Sequence, residues 1–177
     1  MPKKKRTKQK PLLYIGVDPG KSGAIVGLIG SRVYIYEMPG TPLGIVDCLR
    51  RLVEGCDVRR VECLLEWINP GFSGINKSSA SKLFGNFAEL RMALTAIGIP
   101  FEEVKPKAWQ KHYSMKKTKG EKQANWKERL WERTKKEFPD LRIWTVPRTK
   151  GKQVQISDAL LIAKFCKERQ NGAQSTR

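Results

Sequence analysis

Leu12 to Val26 reads LLYIGVDPGKSGAIV, an apolar run that carries one carboxylate and then a tight turn. Five of the six residues Leu12 to Val17 are apolar or aromatic and the sixth is Gly16, the composition of a central strand covered on both faces. Pro19-Gly20 and Gly23 interrupt the run before Ala24-Ile25-Val26 resumes it, which predicts a hairpin. Asp18 closes the first half. A carboxylate on a core strand is costly to desolvate unless it is paired or holds a metal. Asp-Pro-Gly is also good turn chemistry, so a turn-initiating Asp18 is the competing reading.

Working outward, Arg32 to Met38 (RVYIYEM) has the composition of a third antiparallel strand, ended by Pro39-Gly40. Leu43 to Glu54 places Ile45, Val46, Leu49, Leu52 and Val53 at helical spacing, with Gly55 as a C-terminal cap. Alternation returns in Arg60 to Trp67 (RVECLLEW), a strand that delivers Glu66 near its end. After a Gly/Ser/Asn-rich loop, Asn69 to Ser78, the spacing predicts an amphipathic helix over Ser79 to Ile97. Leu83, Phe87, Leu90, Leu94 and Ile97 form its apolar face. A short strand, Phe101 to Lys105, a helical turn, Pro106 to Tyr113, and a lysine-rich loop, Met115 to Gly120, come next. The spacing then predicts a charged helix, Glu121 to Phe138, anchored by Trp126, Leu130 and Trp131. Ile143 to Val146 reads as a short extended piece, Thr149 to Gln153 as a basic loop, and Gln155 to Arg169 as a last helix. A mixed α/β sheet with helices on its faces is the economical packing of this list.

The 177 residues suit one domain with a real core. No apolar run approaches the roughly 20 residues of a membrane span, and no signal-peptide pattern follows the basic start. Cys48, Cys56, Cys63 and Cys166 form no CxxC pair and read as reduced core residues of a cytosolic-type protein. His112 is the single histidine, which excludes a His-based zinc site.

The net charge of +18 is unevenly spread. Residues 1–10 (MPKKKRTKQK) carry six positive charges and no acid, and residues 105–152 carry 16 Lys/Arg against 5 Asp/Glu, while residues 11–104 are near neutral. A neutral body with a basic arm (1–11), a basic insert (about 105–152) and a flexible tail (171–177) fits a nucleic-acid contact surface. A membrane surface fits less well, because the basic segments lack a long apolar face.

Three carboxylates stand out by context. Asp18 lies on the first strand, Glu66 ends the fourth, and Asp158 opens the last helix. Asp158 precedes Leu161, Ile162 and Phe165 by three, four and seven residues, which puts it on the face that packs against the sheet. The alternative is a helix cap by Asp158 or Ser157. Three such acids beside a basic surface suit Mg²⁺, which takes carboxylate and phosphate oxygens. Two such ions can clamp the attacking and leaving oxygens of a phosphodiester displacement.

IGVDPGKSGAIV, LLEWINPGF, SSASKLFGNFAELRMALTAIGIP, VKPKAWQKHY and SDALLIAKF, in this order and spacing over residues 12–169, resemble the RuvC-like Holliday junction resolvases. Within them the phage, bacterial and chloroplast branch is most similar, with Val104-Lys105-Pro106 and Trp109 followed by a lysine-rich helix ending in Phe138-Pro139. The resemblance implies a ribonuclease-H-like domain over 12–170 with a mixed five-stranded sheet. It further implies a homodimer acting on four-way DNA junctions, in a cytoplasmic or nucleoid setting of the phage or bacterial kind, with nuclear and organellar settings left open. The activity implied is symmetric nicking with two Mg²⁺ or Mn²⁺ ions per active site, leaving a 5′-phosphate and a 3′-hydroxyl.

Carried onto this sequence, Asp18, Glu66 and Asp158 take the places of metal ligands. The family usually has a fourth acid three or four residues before the last. Here those positions are Gln155 and Val154, and no acid occurs between Asp140 and Asp158. Gln155 therefore enters the site as a neutral oxygen donor. Lys119 and Lys122, with Lys116 and Lys117, are candidates to steady developing charge. Lys77, Lys105, Lys107, Lys111, Lys116, Lys117, Lys150 and Lys152 are candidate phosphate contacts, and Phe72 a candidate for stacking at the crossover. Trp109, Trp126, Trp131 and Trp144 read as core or interface residues. The Ser79–Ile97 helix is the candidate dimer interface, unless its apolar face covers the sheet.

Competing readings are a catalytically silent junction-binding protein, supported by Gln155, and another ribonuclease-H-like nuclease such as a transposase core. A sugar-kinase or actin-type ATPase shares the first-strand Asp and glycines, but 177 residues are too few for its paired domains and no second phosphate loop is visible.

Overall fold

The computed structural model describes residues 12–69, 76–141 and 155–174. Phe72, Trp144, Lys150, Lys152, the basic arm and the extended piece expected at 143–146 lie outside them. Five strands form one mixed sheet: β1 (Leu13–Asp18), β2 (Ala24–Ile29), β3 (Arg32–Glu37), β4 (Val61–Glu66) and β5 (Phe101–Val104), in the order β3-β2-β1-β4-β5. The first three pair antiparallel as consecutive hairpins, and β4 and β5 add in parallel on the other side of β1. β1 is thus the central strand that its uninterrupted apolar composition predicts.

Side-chain alternation splits the core in two. Leu13, Ile15 and Val17 of β1, with Val61, Cys63 and Leu65 of β4, face α1 (Pro42–Val53) and α2 (Lys77–Ile97). Tyr14 of β1 and Leu64 of β4 face the opposite layer, built from α3 (Pro106–His112), α4 (Gln123–Glu137) and α5 (Ser157–Gln174). By the same period of two, Asp18 and Glu66 belong to this second face.

The helix ends have local causes. Thr41 caps α1, its hydroxyl accepting from the Gly44 N–H at 3.1 Å, and Pro42 takes the first turn, where its missing N–H costs nothing. The predicted Gly55 follows in the left-handed region at φ 71°. α2 begins two residues earlier than expected because the Asn76 side chain caps it, accepting from the Ser79 N–H at 2.8 Å. α4 starts later than expected. Glu121 is drawn instead to the Thr118 N–H and to Arg129. α5 runs to Gln174, past the predicted end at Arg169 and through the first four residues of the expected tail.

The basic segment is no appendage to this core. Trp109 and Leu130 are fully buried, and with Trp126 they pack in one cluster with Ile156, Leu160 and Ala163. Trp131 is also buried. The apolar face of α2 covers the α1 layer through Leu90, Ala93 and Leu94, so in this chain it serves the core. All four cysteines are free thiols, Cys63 and Cys166 buried, Cys48 and Cys56 half-buried. Among the described residues no helix is long and apolar enough to cross a membrane.

Candidate active site

Asp18 and Glu66 end adjacent parallel strands, so both carboxylates emerge at the carboxyl edge of the sheet, where α/β folds place their sites. The turn after β1 is tight. The Gly23 N–H donates to the Gly20 carbonyl at 2.9 Å, and a Cβ on Gly23 would stand 1.9 Å from the Asp18 carbonyl oxygen. Asn86 of α2 fastens the turn by accepting from the Gly20 N–H at 2.7 Å. Asp18 therefore closes the strand at the point where the turn begins.

Asp158 arrives from the third element. Helix α5 crosses directly over β1, because Gly16 presents no side chain where the α5 backbone passes. The carboxylate of Asp158 does not serve as a helix cap. Its Oδ2 accepts from Lys127 Nζ of α4 at 2.5 Å, while its Oδ1 is buried without a hydrogen-bond partner. Trp109 Nε1 donates to Glu66 Oε1 at 2.9 Å and so fixes the orientation of that carboxylate.

The electrostatics follow from this crowding. Desolvation raises Asp18 well above the usual carboxylate range, and the nearby charges of Glu66 and Asp158 push it the same way against Lys127. Glu66 is pushed up to about 7 by desolvation and by Asp158, opposed by the Trp109 hydrogen bond and by Lys127. Desolvation alone would lower Lys127, but Asp158, Asp18 and Glu66 together raise it, so it is held as an ammonium. Asp18, Glu66, Asp158 and Lys127 thus sense one another across separations of 31 to 140 residues in the chain.

A cleft of about 1240 Å³ opens over this point, between the β1–β2 turn, the first half of α2 and the start of α4. Asp18, Lys127 and Gln155 line it, as do Lys21, Lys82, Glu89 and Glu128. Gln155 is exposed there. Lys77, Lys107, Lys111, Lys116, Lys119 and Lys122 are exposed and do not appear in the cleft lining. Lys105 lies over the Trp67 ring, 5.6 Å from its centroid, and Lys117 donates to Gln123 Oε1 at 2.7 Å.

Lys127, Lys21 and Lys82 were not among the sequence candidates. The signal for Lys127 was present: residues 127, 130, 131 and 134 follow the i, i+3, i+4, i+7 pattern of a buried face, and Leu130, Trp131 and Thr134 are buried. A lysine on that stripe needs an acid beneath it.

The donors are all oxygen, the set a hard divalent cation prefers, and Asp158 Oδ1 is buried with no hydrogen-bond partner. The residues present therefore fit such an ion. Among the described residues, however, no group of three or more Asp, Glu, Cys or His side chains is already gathered as a cation cage.

The fold is similar to that of Thermus thermophilus RuvC in complex with Holliday junction substrate, with a TM-score of 0.53 and 14% identity over 86% of this chain and 90% of that one. It is also similar to a second Thermus thermophilus RuvC structure, with a TM-score of 0.52 and 12% identity over 90% of this chain and 97% of that one. No protein-family model and no curated protein matches the chain. At such identities the likeness is one of architecture: the chain has the RuvC-like, ribonuclease-H-like fold.

Proposed function

We propose that this protein is a divalent-metal-dependent endonuclease that nicks four-way DNA junctions symmetrically, as a homodimer. The observation that carries the reading is the meeting of Asp18, Glu66 and Asp158, from β1, β4 and α5, beside an open cleft that Asp18 lines. Acids so costly to bury together are retained where a cation and a phosphate will neutralise them. Asp18, Glu66 and Asp158 would hold the ion, which supplies Lewis-acid activation of a phosphodiester. Trp109 orients Glu66, and Gln155 offers a neutral oxygen at the rim. Lys21 and Lys82 are placed to take the phosphates of an entering strand. Two symmetric cuts in a pseudo-two-fold junction call for two related active sites, which supports a dimer.

The junction as substrate rests on the similarity to RuvC and on the basic charge of the chain. A second reading, a junction-binding protein that does not cut, is favoured by Gln155 and by the ammonium already seated on Asp158. The test is incubation of the full chain with a labelled immobile four-way junction in Mg²⁺, Mn²⁺ or EDTA, beside Asp18→Asn. Paired nicks near the branch point that need metal and vanish in Asp18→Asn are the expected result. Tight binding with no cutting in any metal would leave the silent reading standing.

A further inference from the structure

Lys127 is the unusual member of the site. The ammonium bonded to the Asp158 carboxylate is, in charge terms, already a cation among these acids. We propose that this site holds one divalent cation rather than two, with the Lys127 ammonium taking the part of the second. The inference rests on the nuclease reading of the same carboxylates.

The charge count supports it. Asp18, Glu66 and Asp158 contribute three negative charges when ionised, Lys127 returns one, and Gln155 adds none. The remainder is matched by one divalent ion. The rest of the cleft lining does not change the balance, since it holds two lysines, Lys21 and Lys82, and two glutamates, Glu89 and Glu128.

The geometry divides the ligands in the same way. Asp158 is only 8% exposed and gives Oδ2 to Lys127, which leaves Oδ1 buried and unpartnered. That oxygen, with the neighbouring Asp18 and Glu66, makes the donor set for one ion. Trp126, Leu130, Trp131 and Thr134 bury α4 on either side of Lys127, which fixes the root of its side chain beside Asp158.

The test counts ions rather than products. Mn²⁺ bound to the full chain without DNA is titrated by electron paramagnetic resonance of the free ion, and the count for Asp18→Asn is subtracted to remove sites elsewhere. One ion per chain is expected for the wild type and for Lys127→Arg, and a second ion for Lys127→Met. Two ions in the wild type, none, or an unchanged count and affinity in Lys127→Met would overturn the proposal. Lys127→Gln, smaller and polar, repeats the measurement should the methionine variant not fold. Junction cutting is scored separately: metal-dependent nicks with two ions counted defeat this inference and leave the nuclease reading, whereas one ion with no cutting does the reverse.

Discussion

A Cβ placed on Gly16 would stand 2.2 Å from the backbone nitrogen of Ala163 and 2.5 Å from the carbonyl oxygen of Ala159. β1 and α5 are in backbone contact at that point, and the contact sets how close Asp158 comes to Asp18. Any side chain at Gly16 must push the helix off the sheet, since the clashing atoms are backbone and cannot rotate away. Gly16→Val is expected to cost about 3 kcal/mol in overpacking. Survivors at low temperature should bind Mn²⁺ more weakly. Denaturant unfolding gives the first quantity and metal titration the second; a variant as stable and as metal-avid as the parent would show that this contact is not what sets the site.

Trp109 offers a gentler perturbation. Its indole N–H donates to Glu66 Oε1 at 2.9 Å while its rings are fully buried. Trp109→Phe keeps most of the apolar volume and removes the donor. The hydrogen bond favours the ionised carboxylate, so its loss raises Glu66 further and frees its orientation. Outer partners of metal ligands typically account for about 10- to 100-fold in affinity or activity. A loss of about tenfold in Mn²⁺ affinity at neutral pH, recovered in part at higher pH, is the expected outcome. A pH-independent loss would point to packing alone.

Glu66 also predicts how stability depends on pH. Its folded value, about 7, lies above the ordinary 4.5, chiefly through desolvation. The folded state then binds the proton more tightly than the unfolded chain. Stability from this group is present below about 4.5 and is lost as pH rises to about 7, by on the order of 3 kcal/mol. Asp18, also raised, acts with the same sign. In EDTA, Glu66→Gln should flatten the fall in melting temperature between these pH values. Excess Mn²⁺ should oppose the fall in the wild type, because the ion requires the ionised carboxylates. A Glu66→Gln profile parallel to that of the wild type would count against the assignment.

Much of this architecture is legible in the chain because it is local. The apolar run of β1, the Gly55 and Gly98 stops and the apolar spacing of α5 each follow from residues a few positions apart. The three acids could be named because each breaks an apolar pattern. What escaped the reading depends on distant partners. The need for glycine at Gly16 is set by a helix almost 150 residues later. Lys127 looks like one solvated charge among many on α4 until Asp158 is placed against it. Lys21 and Lys82 are isolated in sequence, whereas clusters such as Lys116-Lys117 attract notice; folding brings the first pair to the cleft and leaves the second outside its lining.

That contrast is testable through salt dependence. Each lysine that neutralises a DNA phosphate releases counterions and contributes about 0.9 to the slope of log affinity against log salt. Lys21 and Lys82 are exposed and line the cleft. Lys105 and Lys117 are exposed too, but one rests over Trp67 and the other donates to Gln123. Removing Lys21 and Lys82 together should lower the slope by about 2 on a four-way junction. Removing Lys105 and Lys117 together should change it by less than about 1, because part of their interaction is spent within the protein. Fluorescence anisotropy of a labelled junction across a KCl series separates the two double variants. Equal slopes would mean that DNA approaches by the lysine-rich loop as much as by the cleft, and the path from phosphate contact to Asp18 would have to be redrawn from that side.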